Sequence, residues 1–279
     1  HSESDVEVPR TSIVRDVTTS GGPPRRRRDA ALELNDAIDG ENVVWWPWIA
    51  SFTMASAGLA IDALVDSAEP RWTSVGSLDL NISEALLLGP AGRIRASRAS
   101  DVLLFSSVIA TYLDAALWRH NDRSNSRTSY RLLMLDSMVF SMNTALVALI
   151  KGTVQRQRPS GRFCESDPEF GGCQNSSINR SFFSGHASTT FTAASLTCAH
   201  QQLRGQTLLG RFQCITGLGV ATTTSMLRLV GAKHYLSDVL VGAAVGFLLG
   251  YIFPVYVFPR SLPRIQAERS LAVDQRVWW

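Results

Sequence analysis

Three short stretches hold the side chains that could do chemistry. Lys151 and Arg158 are seven residues apart, two turns of a helix, so both cations can project from one side. Pro159 then ends that helix and favours an extended exit. The second stretch, Ser184-Gly185-His186, opens an apolar segment. A helix start offers unpaired N–H groups and a positive dipole end to an anion. Gly185 lets the backbone approach closely, Ser184 adds a hydroxyl, and His186 can carry a proton near neutral pH. The third stretch holds Arg228, His234 and Asp238. With His234 and Asp238 at i and i+4 of a helix, the carboxylate can accept from one imidazole nitrogen and leave the other as nucleophile or base. Arg228 presents planar donors suited to phosphate oxygens.

Each stretch alone is also what an ordinary helix end or surface pair presents. Together they supply three cations, a helix-end anion nest, two histidines and a carboxylate. That inventory fits an oxyanion carrying several negative charges, a phosphate monoester or diphosphate. The remaining histidines lack such surroundings: His1 lies in a polar arm, His120 in a charged loop, and His200 at a helix end without cationic neighbours. The chain has only two lysines, Lys151 and Lys233, among 27 basic residues, so lysine is not its default surface cation. Lys151 reads as a phosphate ligand and Lys233 as a charge at the rim.

Helices must position these residues. Six apolar segments, 43–61, 102–118, 132–150, 187–203, 213–227 and 239–259, have helical length, few strand signals and bounding turn chemistry. The first and last carry no charge over about 20 residues, enough to cross a bilayer core. The middle four hold Asp114, Asp136 and Asn143 or are rich in Ser, Thr and Gln, and the mean hydropathy is only +0.04. A soluble all-α bundle is therefore the alternative to a membrane-spanning one. Residues 1–42, with "GGPPRRRR" at 21–28, read as a flexible arm, 43–258 as the helical domain and 259–279 as a tail. The chain opens at His1, as a fragment or processed form would, and shows no signal-peptide pattern there.

Charge and cysteine placement suggest an orientation. With the arm in the cytoplasm, six spans put Arg25–Arg28, Arg119, Arg123, Arg127, Arg131, Arg204, Arg211 and the tail arginines on the cytoplasmic side. An outer loop with Arg93, Arg95 and Arg98 departs from this bias. Cys164 and Cys173 fall in a polar loop on the opposite, oxidising side, where a disulfide or two free thiols are both open readings. Cys198 and Cys214 sit in apolar stretches and read as small core residues. The net charge of +3 and the absence of interleaved basic and aromatic residues give no case for nucleic acid, and no zinc spacing is present.

The pattern K-x6-R-P, then S-G-H, then R-x5-H-x3-D resembles the type 2 phosphatidic acid phosphatase (PAP2) superfamily, which includes membrane lipid phosphate phosphatases and soluble vanadium haloperoxidases. The motifs cover residues 151–238, and six helices extend the likeness to roughly 43–258. The resemblance implies an all-α, six-helix, membrane-spanning bundle of the PAP2/haloperoxidase type. It implies that Lys151, Arg158, Arg228, Ser184 and the Gly185 amide hold the phosphoryl oxygens. His234 would attack phosphorus to form a phosphohistidine, Asp238 would orient it, and His186 would protonate the leaving oxygen. No metal or cofactor is implied, and vanadate would act as a phosphate mimic outside the haloperoxidase branch. Phe183 stands where Pro usually precedes Ser-Gly-His, and Leu227 where Ser usually precedes the third-motif Arg. The expected partners are a lipid phosphate and the bilayer of a bacterial inner membrane, with the site facing the periplasm. A soluble or peripheral acid phosphatase of the same superfamily, placed in the periplasm or at the membrane surface, a vanadium haloperoxidase and an inactive binding protein are the alternatives.

Overall fold

The computed structural model describes residues 46–64, 69–117, 126–164, 173, 177–204 and 207–257. The arm, the tail and most of the arginines behind the charge asymmetry lie outside these residues. The described helices are α1 (Trp46–Leu64), α2 (Ser77–Ala85), α3 (Pro90–Leu117), α4 (Ser126–Val154), α5 (Gly185–Arg204), α6 (Leu208–Val230) and α7 (Leu236–Phe247). A 3-10 turn covers Pro159–Phe163, and α7 continues as a wider π-type coil over Leu248–Val257. That coil contains Pro254, which has no N–H to give to an α-helical ladder. The only extended pairing among the described residues is one bridge between Trp72 and Arg156.

The six expected segments correspond to α1 and α3–α7; α2 is additional. The largest boundary difference is in α3, which starts at Pro90 rather than near residue 102. Arg93, Arg95 and Arg98 therefore lie on its first turns and not in a loop. Proline suits a first helical position, and Ala and Arg are good helix formers, so the helix extends beyond its apolar run.

Helix α5 is the central element, packed against α3, α4, α6 and α7. Its enclosure explains a sequence poor in large apolar side chains. Ala187, Ser188, Thr190, Ala193, Ala194, Ser195 and Ala199 are all buried, so small size matters more there than hydrophobicity. Its neighbour α7 approaches through Gly242, Gly246 and Gly250. A Cβ on these would come within 2.6, 2.3 and 2.5 Å of the carbonyl oxygens of Ser184, Ser188 and Thr192. Any side chain on that stripe would force the helices apart and displace Ser184, the residue just before α5.

The perimeter is apolar. Val102, Phe105, Ile109 and Leu113 of α3, and Leu240, Phe247 and Leu248 of the last helix, are exposed. Among the described residues, three helical stretches, Pro90–Ala116, Leu132–Val154 and Leu236–Tyr256, are long and apolar enough to cross a membrane. Hydroxyls on the helices close back on carbonyls one turn earlier: Ser107 on Leu103, Thr144 on Phe140, Thr222 on Leu218 and Thr223 on Gly219. Polar atoms satisfied within their own helix can face lipid at low cost, which reconciles the modest hydropathy with an apolar surrounding.

Both cysteine pairs are bonded, Cys164 to Cys173 and Cys198 to Cys214. The second bond corrects the expectation of two separate core residues. Cys198 is six residues before the end of α5 and Cys214 six after the start of α6. Equal distances from the hairpin turn place them opposite each other, with Cα atoms 4.7 Å apart.

Candidate active site

Four loops meet at one end of the bundle. Helix α4 stops at Val154, and Gln155 adopts a positive φ of 46°. The Gln155 carbonyl accepts from Arg71 N and Trp72 N at 3.1 and 3.4 Å, and Gln157 N donates to Trp72 O at 3.1 Å. Arg158 N donates to Ile178 O at 2.8 Å, and Ser160 N to Ala232 O at 3.2 Å. The segment is thus stitched to the loops before α2, before α5 and before α7. Lys151 lies in the last turn of α4, but Arg158 lies four residues beyond it, so the two do not share a helix face as their spacing suggested. The backbone bonds to Trp72, rather than Pro159, set the helix end.

Arg156 is the hub of this stitching. Its guanidinium lies over the rings of Trp72 and Tyr235, 4.3 and 4.4 Å from their centroids. It also bonds Asp79 at 2.8 Å, Ser237 at 2.7 Å and the Asp238 carboxylate. This buried residue fixes α2 and the start of α7 against the loop that carries Arg158.

His234 precedes α7 and is not on it. Its Nδ1–H donates to the Ser181 carbonyl at 2.7 Å, which fixes the tautomer and leaves the Nε2 lone pair available. Asp238 is 3.8 Å from that Nδ1, too far for a direct bond. This corrects the expected His234–Asp238 contact. At the third position of α7, the carboxylate turns back to accept from Tyr235 N at 2.9 Å, from Ser181 Oγ at 2.6 Å and from Arg156. Asp238 therefore acts on His234 at one remove, by holding the residues on both sides of the imidazole.

The second histidine opens α5. Ser184 caps that helix, its Oγ accepting from Ala187 N at 3.4 Å, and its own N–H donates to Asp238 O at 3.0 Å. Lys151 stands over this helix start: a Cβ on Gly185 would lie 3.4 Å from Nζ and 3.1 Å from Val147 Cγ1. His186 Nε2 is 2.7 Å from Asp101 Oδ1 on α3. Arg228 Nη1 lies 3.1 Å from Ser100 Oγ and 3.5 Å from both Ser97 Oγ and Asp101 Oδ1.

The electrostatics are those of a site with surplus positive charge. Arg158 is half-buried, its Nε makes no hydrogen bond and its guanidinium pairs with no carboxylate of the described residues; desolvation and the nearby Arg228 lower it to about 10. Burial, then Arg228, Arg158 and Lys151, hold His234 well below the ordinary imidazole value. Burial and Arg228 lower His186 to about 4, against the opposing pull of Asp101. Lys233 is lowered by burial and by Arg158 and Arg228, so it too faces the cluster. These influences favour the neutral form of both imidazoles. An arriving phosphate favours the protonated form of whichever imidazole meets its leaving oxygen.

Lys151, Arg158, Ser184, Gly185, His186, Arg228 and His234 thus gather at one place, with Asp238 beneath them. Asp101, Ser100, Arg156 and Ser181 were not singled out from sequence. Asp101 was legible as the acidic residue at the very edge of an uncharged run, and Arg156 as one of the basic residues crowded before Pro159. The Ser181 carbonyl leaves no trace in side-chain patterning.

A family model described as the PAP2 superfamily matches residues 132–262. A lipid A 1-phosphatase from Porphyromonas gingivalis is 29% identical over 128 residues, which are 46% of this chain and 24% of that protein. The chain thus spans about a quarter of the length of this curated relative. A crystal structure of a transmembrane PAP2 type phosphatidylglycerolphosphate phosphatase from Bacillus subtilis superposes with a TM-score of 0.50 and 19% identity, covering 79% of this chain and 99% of that one. The fold is shared with that transmembrane protein, and three helices among the described residues are long and apolar enough to cross a membrane.

Proposed function

We propose, on the match of residues 132–262 to the PAP2 superfamily model, that the chain is a membrane-embedded phosphatase acting on a lipid phosphate monoester or a polyprenyl diphosphate. The observation that carries the reading is Arg158, a half-buried guanidinium whose buried Nε makes no hydrogen bond and which has no carboxylate partner among the described residues, beside Arg228 and two histidines. A partly desolvated charge left without a counterion is unfavourable, and a phosphoryl group supplies one. The names of the relatives, a lipid A 1-phosphatase and a phosphatidylglycerolphosphate phosphatase, support a lipid substrate.

Lys151, Arg158 and Arg228, with the Ser184 hydroxyl and the Gly185 amide, hold the non-bridging oxygens and spread their charge in the transition state. The His234 Nε2 lone pair forms a bond to phosphorus as the bond to the leaving oxygen breaks. That oxygen takes the proton of His186. Water then attacks the phosphohistidine, returns a proton to His186 and restores the His234 lone pair with release of phosphate. The site faces the periplasm from a bacterial inner membrane, a placement supported by the arginine bias of the opposite loops and by the Cys164–Cys173 bond near the rim.

The deciding assay measures phosphate release by detergent-purified protein from phosphatidate, phosphatidylglycerol phosphate, undecaprenyl diphosphate and lipid A. Turnover of at least one, inhibited by vanadate and absent in His234→Ala, is expected. No release from any of them by protein that binds vanadate would argue for a binding protein instead.

A further inference from the structure

We infer that Asp101 is a positioning residue that turns His186 into a general acid for poor leaving groups, through the hydrogen bond from His186 Nε2 to its carboxylate. The inference rests on the phosphatase reading above and concerns a residue outside all three motifs.

The geometry assigns the two ring nitrogens different tasks. Nε2 is taken by Asp101 Oδ1 at 2.7 Å, so Nδ1 is left to meet the substrate. A histidine whose second nitrogen donates to a carboxylate holds one ring orientation and is a better proton carrier than a free one. The same Asp101 Oδ1 is 3.5 Å from Arg228 Nη1, with Ser100 Oγ 3.1 Å from that nitrogen. One carboxylate on α3 thereby sets the spacing between the proton donor on α5 and a phosphate ligand on α6. Asp101 is 48% exposed against 25% for His186, so the pair lies at the mouth of the site, where a leaving alcohol departs.

The charged and titratable groups facing His186 are Asp101 from α3, Lys151 from α4, Arg228 from α6 and His234 from the loop before α7. Asp101 is the only anion among these four. Without it, three basic groups remain around a ring that must hold a proton during bond cleavage. In that step the P–O bond breaks, its electron pair stays on the leaving oxygen, and the Nδ1 proton moves to that oxygen. Asp101 keeps its hydrogen bond from Nε2 and exchanges no proton.

Chemistry then separates substrates. An alkyl or sugar alkoxide is a strong base and requires the proton; p-nitrophenolate does not. Asp101→Asn should lower kcat on an alkyl phosphate by about tenfold or more, up to the ~10²–10⁴-fold that loss of general acid catalysis costs. It should leave kcat on p-nitrophenyl phosphate within about threefold, on the same reasoning. KM should not rise, since removing a carboxylate beside Arg228 does not weaken anion binding. The alkaline limb of the kcat profile should move to lower pH, because the imidazolium loses its counterion. Asp101→Glu should recover part of the alkyl phosphate rate. An equal loss on both substrates, or a raised KM with unchanged kcat, would overturn the inference and mark Asp101 as a prop for Arg228. Wild-type protein without activity on either ester would instead overturn the phosphatase reading itself.

Discussion

Helix α5 carries a histidine near each end, and the two are built differently. His186 in its first turn touches one carboxylate, is 25% exposed and faces Arg228 and Lys151. His200, about 21 Å further along the axis at 1.5 Å per residue, is fully buried. Its Nδ1 lies 2.9 Å from Asp114 on α3 and its Nε2 3.0 Å from Asp136 on α4. Both ring nitrogens are therefore committed, and neither can meet a ligand. A histidine bonded to carboxylate is thus not by itself a sign of catalysis. Surplus cation, an open edge and one uncommitted ring nitrogen make the difference. The far trio works as a clamp that ties α3 and α4 to the central helix, while the near end is held by backbone and by Arg156, which leaves its histidines free for chemistry.

Exchanging the histidines should separate the two roles most sharply. His234→Ala should lower turnover by ~10⁴-fold or more while the protein unfolds at the wild-type temperature, because the nucleophile is removed and its site remains. His200→Ala should do the reverse. Removing one partner from a buried ionic group typically costs about 3–5 kcal/mol, so thermal unfolding in detergent should show a large loss of stability, with the folded fraction still turning over. Retained stability in His200→Ala would remove the clamp from the account. His186→Ala should cost ~10²–10⁴-fold on an alkyl phosphate and much less on p-nitrophenyl phosphate, a leaving-group contrast that steady-state rates on both esters would measure.

Smaller effects concern the lysines. Lys151→Arg should lower kcat/KM about tenfold, equivalent to roughly 1.4 kcal/mol of transition-state stabilisation, because the planar guanidinium is larger than the ammonium beside Gly185 and Val147. Full activity would mean that the compact ammonium is not required. Lys233→Arg keeps the half-buried positive charge at the rim of the cluster, and its kcat/KM should stay within about twofold of wild type.

The same contrast explains what was legible in the sequence. The cations, both histidines of the candidate site and the Ser-Gly turn were readable because each needs a particular side chain at a particular spacing. So were most of the helices, since length and apolar content mark them without knowledge of their neighbours. The Asp238 contact was misread because spacing alone assigns i and i+4 residues to each other, whereas its carboxylate is claimed by Tyr235 N, Ser181 and Arg156. The His200 clamp was invisible for a related reason: Asp114 and Asp136 looked like isolated charges within apolar runs, and their common partner lies on a third helix. Pairings across helices depend on which faces meet, and a single sequence with no internal repeat does not encode that openly. The bond between Cys198 and Cys214 was missed in the same way, although their equal distances from the hairpin could have revealed it.

The central claim is that His234 carries the phosphoryl group. Mixing the protein with a ³²P-labelled lipid phosphate, quenching within the first turnover and mapping the label under alkaline conditions, where phosphohistidine survives, examines it directly. The account predicts label on the peptide containing His234, its absence in His234→Ala, and slower loss of label in His186→Ala because the attacking water has no base. Label on another residue, or wild-type turnover by His234→Ala, would contradict it.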